Sequence, residues 1–184
     1  MAGVPDYDEF TEADARIAEA QLGRPVRGVA GVAWRCPCGR PGVLATLPRL
    51  PDGGPPFPTT YYLTCPRAVA AVSRLEASGI MTEMTERLRT DAELAARYQQ
   101  AHEAYLADRA GLGAAMGDEV PEIAGFSAGG MPTRVKCLHA LVGHALAAGP
   151  GVNPIGDEAL ELLGEFWDGP CHPEDAAHVG EEAE

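Results

Sequence analysis

The sequence predicts an α+β fold, with a small three-stranded sheet near the N-terminal third and a predominantly helical remainder. Three short apolar segments rich in β-branched and aromatic residues, separated by glycine and proline, are typical of strands. After Pro66, apolar residues recur at helical spacing and several segments end at glycine. The 184 residues suffice for one hydrophobic core. We therefore expect a flexible N-terminus (1–10), a single globular domain (11–168) and an acidic, disordered tail (169–184).

The elements can be placed in chain order. Thr11 is a predicted N-cap, and the helix that it begins reaches Leu22, with Gly23 directly after it. The five prolines between positions 48 and 58 predict an extended surface loop before the third strand. The predicted strands lie at 29–34, 43–47 and 59–64. The later predicted helices lie at 68–78, 81–89, 132–148 and 157–163, and a capping-box pattern at 90–93 starts another that reaches about 109, with a loop at 111–130.

Charge is distributed unevenly along the chain, and the overall acidity makes nucleic acid an unexpected partner. The net charge of −13 comes from the two ends, because residues 1–20 hold six acids and one base and residues 157–184 hold ten acids and no base. Residues 21–74 instead carry seven arginines and a single acid, Asp52. An acidic protein is a poor ligand for nucleic acid, and no apolar run has the length of a membrane span or the form of a signal peptide. We expect a cytoplasmic protein that binds neither nucleic acid nor membrane.

Four cysteines predict a metal centre. Two of them share a Pro/Gly turn, one precedes a predicted helix and one lies within another. Thiols stay reduced in the cytoplasm, and four thiolates form the tetrahedral shell that Zn²⁺ or a [4Fe–4S] cluster takes. The predicted ligands are Cys36, Cys38, Cys65 and Cys137, with His139, His144, Cys171 or His172 as substitutes. The alternative is that these cysteines are only small buried apolar residues.

A second candidate site lies at 127–136, where paired glycines lead into the predicted helix 132–148. Open backbone N–H groups, the helix dipole and two cations suit a small phosphate or carboxylate. The predicted binding residues are Gly129, Gly130, Arg134 and Lys136. The alternative is that the glycines only turn the chain and that the cations pair with acids elsewhere.

The histidines have simpler interpretations. In a regular helix Cys137 and His144 lie about 10 Å apart along the axis, which is too far for one ion. His139 falls on an apolar stripe and is predicted to be a hydrogen-bonded core residue. His102 is predicted to be a half-buried helix residue, with general acid or base catalysis as the alternative.

Several separate strings of the sequence resemble one known family. They include Arg-Cys-Pro-Cys-Gly-Arg-Pro41, Tyr-Tyr-Leu-Thr-Cys-Pro66, Ser-Ala-Gly-Gly-Met-Pro132, Arg-Val-Lys-Cys-Leu-His139 and Gly-Val-Asn-Pro154. Together they resemble the actinobacterial family known as domain of unknown function 501, from about Ala13 to about Trp167. The family has no established activity, substrate or cofactor, and its genes tend to lie near those of a small septum-formation protein and an exopolyphosphatase. The resemblance implies that the cysteine strings belong to the family pattern, whereas the two chain ends do not and have no catalytic role.

Three hypotheses of function follow. The first is a cytoplasmic metal-binding protein whose cysteine-ligated zinc or iron–sulfur site has a structural or redox role. The second is an enzyme or binder of a small anionic ligand at 129–136, with Cys137 as a nucleophile. The third is an interaction protein of the cell-division or envelope machinery. The sequence leaves open whether the chain is an enzyme, which proteins it contacts and its oligomeric state.

Overall fold

The structure, a computed structural model, describes residues 4–167 and Cys171. Within this part of the chain, three strands and six α-helices confirm the predicted α+β class. The strands are β1 (Val29–Arg35), β2 (Pro41–Thr46) and β3 (Tyr61–Leu63). The helices are α1 (Glu12–Leu22), α2 (Pro66–Ala77), α3 (Ile80–Thr90), α4 (Ala92–Met116), α5 (Leu138–Ala148) and α6 (Pro154–Leu163). Apart from Cys171, the tail predicted at 169–184 lies outside the described residues.

The first helix begins and ends as its sequence predicts. The hydroxyl of Thr11 accepts a hydrogen bond from the Asp14 N–H, and the Asp14 carboxylate accepts one from the Thr11 N–H, both at 3.1 Å. This reciprocal capping satisfies backbone donors that the first helical turn leaves open. Gly23 ends the helix with a φ of 68°, a conformation that glycine adopts without strain.

The antiparallel sheet has the order β1-β2-β3, so β2 is the central strand. Every residue of β2 is buried, because both faces of this strand are covered. Successive side chains point to opposite faces of a strand. Val43 accordingly belongs to the main core with α2, α4 and α5, whereas Leu44 packs with Ala18 of α1 and Val32 of β1.

Helix α5 lies directly on the sheet. A Cβ on Gly143 would lie 3.0 Å from the Tyr61 carbonyl oxygen, so glycine permits the close approach of helix and strand. On the far side, a Cβ on Gly156 of α6 would collide with the carbonyl of Leu141. Small residues therefore let α5 pack between β3 and α6. Among the described residues, no helix has both the length and the apolar character needed to cross a membrane.

Several helix boundaries differ from the sequence prediction, and α6 begins at Pro154 rather than at position 157. Helix α4 continues to Met116 through residues that were predicted as loop, and Gly117 ends it with a φ of 72°. Helix α5 begins at Leu138 rather than at position 132. Gly129 and Gly130 have φ values of 67° and 97°, and the Lys136 N–H donates to the Gly129 carbonyl at 2.7 Å. These contacts form a tight turn, so the helix can begin only after it.

Candidate metal centre

The Cys-Pro-Cys turn closes the β1–β2 hairpin. The Cys36 carbonyl accepts a hydrogen bond from the Gly39 N–H at 2.8 Å, and the Cys36 N–H donates to the Arg40 carbonyl at 3.0 Å. Gly39 has a φ of 80°, in the left-handed region that favours glycine. Both cysteines therefore lie in one short turn, where Cys36 is buried and Cys38 is exposed.

A third sulfur atom, from Cys171, reaches this turn. The Sγ atoms of Cys36 and Cys171 lie 3.6 Å apart, and the Sγ of Cys38 contacts both of them. Cys36 and Cys171 are each 4% exposed, so two of the three sulfurs are shielded from solvent. All three Sγ atoms lie within 4.8 Å of one another.

The valence of sulfur limits what this cluster can be. A cysteine sulfur forms one disulfide bond, so Cys38 cannot be bonded to Cys36 and Cys171 at the same time. The cluster is therefore either one disulfide beside a free thiol or three thiolates that face a common point. Three sulfur donors around one point form the kind of ligand set that holds zinc or an iron–sulfur cluster.

Two aromatic residues after α6 bring the chain back to the hairpin. The rings of Trp167 and Trp34 have centroids 5.7 Å apart, and Phe166 is buried in the main core. Gly42 on β2 leaves room for the Trp34 ring, because a Cβ at this position would collide with it. The aromatic contact thus connects the strand that leads into the Cys-Pro-Cys turn with the segment that leads to Cys171.

The other two predicted ligands lie at opposite ends of α2. Cys65 is the N-cap residue of this helix and is fully buried, and its N–H donates to the Gly42 carbonyl at 3.2 Å. Cys137 lies instead within 4.8 Å of the carboxylate of Glu76, in the last turn of α2. Eleven residues separate Cys65 from Glu76, which is about 16 Å along a helix axis. Cys65 and Cys137 therefore do not meet at one ion, and within the described chain neither joins the three-sulfur group.

The charges next to the turn are already paired. Arg35, which precedes Cys36, donates to the Asp14 carboxylate at 2.8 and 3.0 Å and to Asp8 at 3.0 Å. The hydrogen bonds from Arg35 lower the pKa of Asp14 to about 2. The positive charge of Arg35 is thus balanced by carboxylates of the N-terminal segment. It supplies no unpaired charge of the kind that would activate the neighbouring thiols.

A second group with metal-ligand chemistry lies where α2 ends and α5 begins. It consists of Glu76, Cys137 and His139, whose ligand atoms lie within 4.8 Å of one another. Hydrogen bonding with Cys137 and the nearby charge of Glu76 raise the pKa of His139 to about 9, although burial opposes the shift. The hydrogen bond with His139 lowers the pKa of Cys137. His139 is hydrogen-bonded as predicted, but its side chain is 28% exposed, so it lies at the edge of the core.

The predicted anion-binding residues lie along an open cleft of about 600 Å³, which Cys137 also lines. These residues are Gly129, Gly130, Arg134 and Lys136. Arg134 and Lys136 are exposed, and α5 begins after them, at Leu138, so they precede the helix and do not lie in its first turns. The Arg134 N–H donates to the Gly130 carbonyl at 3.1 Å, so its backbone donor is also satisfied internally. Anion binding at this cleft stays a prediction.

The remaining two described histidines do not contribute to either ligand group. His102 has its Nδ1 atom 2.8 Å from the Ser127 hydroxyl, and burial lowers its pKa. His144 is fully buried and stacks on Tyr61 with a centroid distance of 5.6 Å. The Nδ1 atom of His144 lies 3.1 Å from the Asn153 amide nitrogen, and burial lowers the pKa of His144 to about 4. His172 lies outside the described residues.

Comparison with known proteins identifies a family. The model of the family described as Protein of unknown function (DUF501) matches residues 32–161, which include the four cysteines predicted as ligands. Cys171 lies beyond the matched segment. Neither a search of curated proteins nor a search of solved structures returns a significant match. The sequence offered Cys171 only as a substitute ligand, and the structure brings it to the turn after the aromatic residues Phe166 and Trp167.

Proposed function

The chain belongs to the DUF501 family, and because the description of that family assigns no activity, we propose a function from the geometry of the cysteines. The protein is a metal-binding protein in which Cys36, Cys38 and Cys171 hold one ion. The ion replaces the protons of three thiols, and its binding closes the hairpin turn against the chain that follows α6.

One observation carries this proposal. Cys38 and Cys171 are 133 residues apart in the chain, yet their sulfur atoms and that of Cys36 meet in one group. A disulfide needs only two sulfurs, whereas a metal ion gives all three a common partner. The two buried sulfurs also gain from a bound cation, because a thiolate without a partner is costly to bury.

The distance between the two buried sulfurs is compatible with zinc, whose binding would move the Cys38 sulfur out of its close contacts with both of them. Two thiolates bound to tetrahedral Zn²⁺ at about 2.3 Å are about 3.8 Å apart. The Sγ atoms of Cys36 and Cys171 are 3.6 Å apart, whereas a four-iron cluster requires a wider spacing and usually a fourth cysteine. The fourth zinc position is left to water or another side chain, and exposed Cys38 forms the solvent side of the centre.

A structural role agrees with the position of the centre. The centre joins the β1–β2 hairpin to Cys171, and the Trp34–Trp167 ring pair also contacts the hairpin from the chain after α6. In sites that form only when the chain folds, the free energy of metal binding contributes directly to folding stability. Loss of zinc should therefore release the segment around Cys171 before it affects the rest of the core.

Metal content tests the proposal directly. The full chain would be purified under anaerobic conditions and examined by elemental analysis and visible absorption. The Cys171→Ser variant should lose the zinc of this centre, because it removes one ligand and keeps the size of the side chain. The matched control is Cys65→Ala, which removes a buried sulfur outside the cluster and should keep the zinc.

Two results would reject the zinc centre. One is equal zinc content in the wild type and Cys171→Ser. The other is a wild-type chain with no metal whose mass is lower by two hydrogens, with the disulfide mapped to Cys38. The second result would assign the cluster to thiol–disulfide exchange, in which Cys38 pairs alternately with its two neighbours.

A second candidate function rests on the open cleft beside Cys137. Arg134 and Lys136 are both exposed at a concave surface, which suits a small phosphate or carboxylate. Thermal-shift measurements with inorganic phosphate and with small carboxylates would test this binding. Stabilisation that survives Arg134→Ala would rule out this cleft as the binding site.

A further inference from the structure

A second ligand cluster, separate from the three-cysteine group, is assembled from two helices. Glu76 lies in the last turn of α2, Cys137 is the N-cap residue of α5, and His139 lies in the first turn of α5. The Nδ1 atom of His139 is 3.2 Å from the Oε1 atom of Glu76. One sulfur, one nitrogen and one oxygen atom therefore lie within 4.8 Å of one another.

Neighbouring groups hold the imidazole and the carboxylate in place. The Nε2 atom of His139 lies 3.3 Å from the Val69 carbonyl and 3.2 Å from the Ser73 hydroxyl. The hydroxyl of Ser73 itself donates to the Val69 carbonyl at 2.8 Å, so Nε2 is the donor to both oxygens. The Oε1 atom of Glu76 accepts a hydrogen bond from the Leu138 N–H at 2.6 Å. A histidine that donates one ring N–H to a carbonyl is oriented to bind metal with its other nitrogen.

In this orientation, the Nδ1 atom of His139 and the carboxylate of Glu76 are stabilised by a cation between them. With hydrogen on Nε2, a neutral His139 presents the lone pair of Nδ1 to the negatively charged carboxylate of Glu76. Two lone pairs at 3.2 Å repel each other unless a proton or a metal ion lies between them. A proton on His139 meets this need as an ion pair with Glu76 and a hydrogen bond with Cys137, and a metal ion in its place would bind the imidazole, the carboxylate and the thiolate together.

We propose that Glu76, Cys137 and His139 form a second metal site, which binds Zn²⁺ and keeps its fourth coordination position open. Cysteine, histidine and glutamate are all zinc ligands, and three protein ligands with one open position are typical of zinc sites that bind water or substrate. Nitrogen and oxygen ligands at about 2.0–2.1 Å from tetrahedral zinc are about 3.3 Å apart. The observed distance of 3.2 Å between Nδ1 and Oε1 agrees with this geometry.

The surroundings leave room for an exogenous ligand. The side chains of His139 and Glu76 are 28% and 23% exposed, so the group lies at the surface of the core. Cys137 also lines the open cleft of about 600 Å³ that Arg134 and Lys136 border. A small anion on the zinc would therefore have two cationic side chains nearby. The ligand class that suits the open position is water or a small carboxylate or phosphate.

Zinc stoichiometry on the full chain separates this site from the three-cysteine centre. The chain would be equilibrated with Zn²⁺, freed of loosely bound ion and analysed for zinc per chain. We expect two zinc ions in the wild type. His139→Ala should lose the ion of the second site, whereas Cys171→Ser should lose only the ion of the first. His102→Ala, a histidine substitution on α4, is the matched control and should keep both.

The Glu76→Gln variant distinguishes the loss of a metal ligand from the loss of the fold. Its amide oxygen can still accept the Leu138 N–H, so the start of α5 is preserved while the charge of the ligand is lost. Zinc affinity at this site should fall about tenfold or more, with an unchanged circular dichroism spectrum. Cobalt substitution adds a count of sulfur ligands, because the thiolate-to-cobalt absorption should correspond to one sulfur here and to three in the first centre.

Two outcomes would overturn the proposal. One is a zinc content that neither His139→Ala nor Glu76→Gln changes. The other is alkylation of Cys137 by iodoacetamide, followed by peptide mapping, at a rate that added Zn²⁺ does not slow. Rapid alkylation in both conditions would assign the group to a thiolate–imidazolium pair. Neither outcome depends on the metal content of the three-cysteine centre, which the Cys171→Ser variant reports separately.

Discussion

Buried His144 should make the stability of this protein depend on pH between pH 8 and pH 5. The imidazole is fully buried, stacked on Tyr61 and in edge contact with Tyr105 at 5.1 Å. Protonation would place a positive charge in this buried site. The charge would be costly, because the Nε2 atom of His144 has no hydrogen-bond partner among the described residues. The substitution that tests this expectation is His144→Leu, which removes the titrating group and keeps the site apolar.

The size of the pH-dependent loss of stability follows from the lowered pKa of His144. Burial lowers the pKa of His144 from 6.5 to about 4, so the unfolded chain binds a proton in a pH range where the folded protein does not. The contribution of His144 to folding stability is therefore fully present above pH 6.5 and is lost as the pH falls toward 4. A shift of this size corresponds to about 3 kcal/mol in total, and about 2 kcal/mol of it is lost between pH 8 and pH 5.

Urea unfolding at pH 8 and at pH 5, followed by circular dichroism, measures the free energy of unfolding in each condition. The wild type should lose about 2 kcal/mol more than His144→Leu over this interval. At pH 8 the variant should itself be less stable by about 1.5–4.5 kcal/mol, since the ring contacts with Tyr61 and Tyr105 are lost and the buried Asn153 amide loses its acceptor. His102→Gln leaves His144 in place and should retain the His144 contribution.

The difference between wild type and variant isolates His144 from other titrating groups. Asp108 accepts a hydrogen bond from the Tyr61 hydroxyl, and burial raises the pKa of Asp108, so it also affects the pH profile of the wild type. That contribution is common to both proteins and cancels in the comparison. An equal loss of stability in wild type and His144→Leu between pH 8 and pH 5 would refute a buried neutral imidazole.

Three further predictions concern contacts that the structure specifies. Trp167→Ala should weaken zinc binding at the three-cysteine centre by about 1 kcal/mol, or about fivefold, because the ring contact that holds the chain before Cys171 is lost. A chelator competition assay measures this affinity. An unchanged affinity would mean that the ring contact does not support the centre. The pair Arg87–Glu158 joins α3 to α6 at 2.6 and 2.8 Å, and a double-mutant cycle with alanine should give a coupling of about 0.5–1 kcal/mol that falls in high salt. Asp14→Asn should remove about 2 kcal/mol of stability that is present above pH 4 and lost as the pH falls through about 2; equal acid unfolding curves for variant and wild type would contradict this.

The sequence predicted the elements well wherever local chemistry determines them. Thr11 and Gly23 determine the ends of α1, and Pro66 permits the first turn of α2. The start of α5 could not be predicted in this way. It depends on the turn at Gly129 and on the hydrogen bond from the Leu138 N–H to Glu76, a residue 62 positions earlier in the chain.

The candidate site was predictable only in part for a related reason. Cys36 and Cys38 are neighbours in one turn, so their proximity follows from the sequence. The third sulfur depends on a tertiary contact, the packing of Trp167 on Trp34, which no local pattern specifies. A four-cysteine centre was a reasonable expectation from residue type alone. Helix α2 prevents it, because Cys65 lies at its start and Cys137 contacts its end.

The same helix determines how the two ligand groups should influence each other. At its start, Cys65 donates to the carbonyl of Gly42, and Gly42 in turn lies under Trp34 beside the Cys-Pro-Cys turn. At its end, Glu76 belongs to the second group and lies about 16 Å from Cys65 along the helix axis. Substitutions farther apart than about 7–10 Å that share no partner usually have additive effects within about 0.5 kcal/mol. Combining Cys171→Ser with Glu76→Gln should therefore reduce stability by the sum of the single effects, and a larger deviation would mean that α2 couples the two groups.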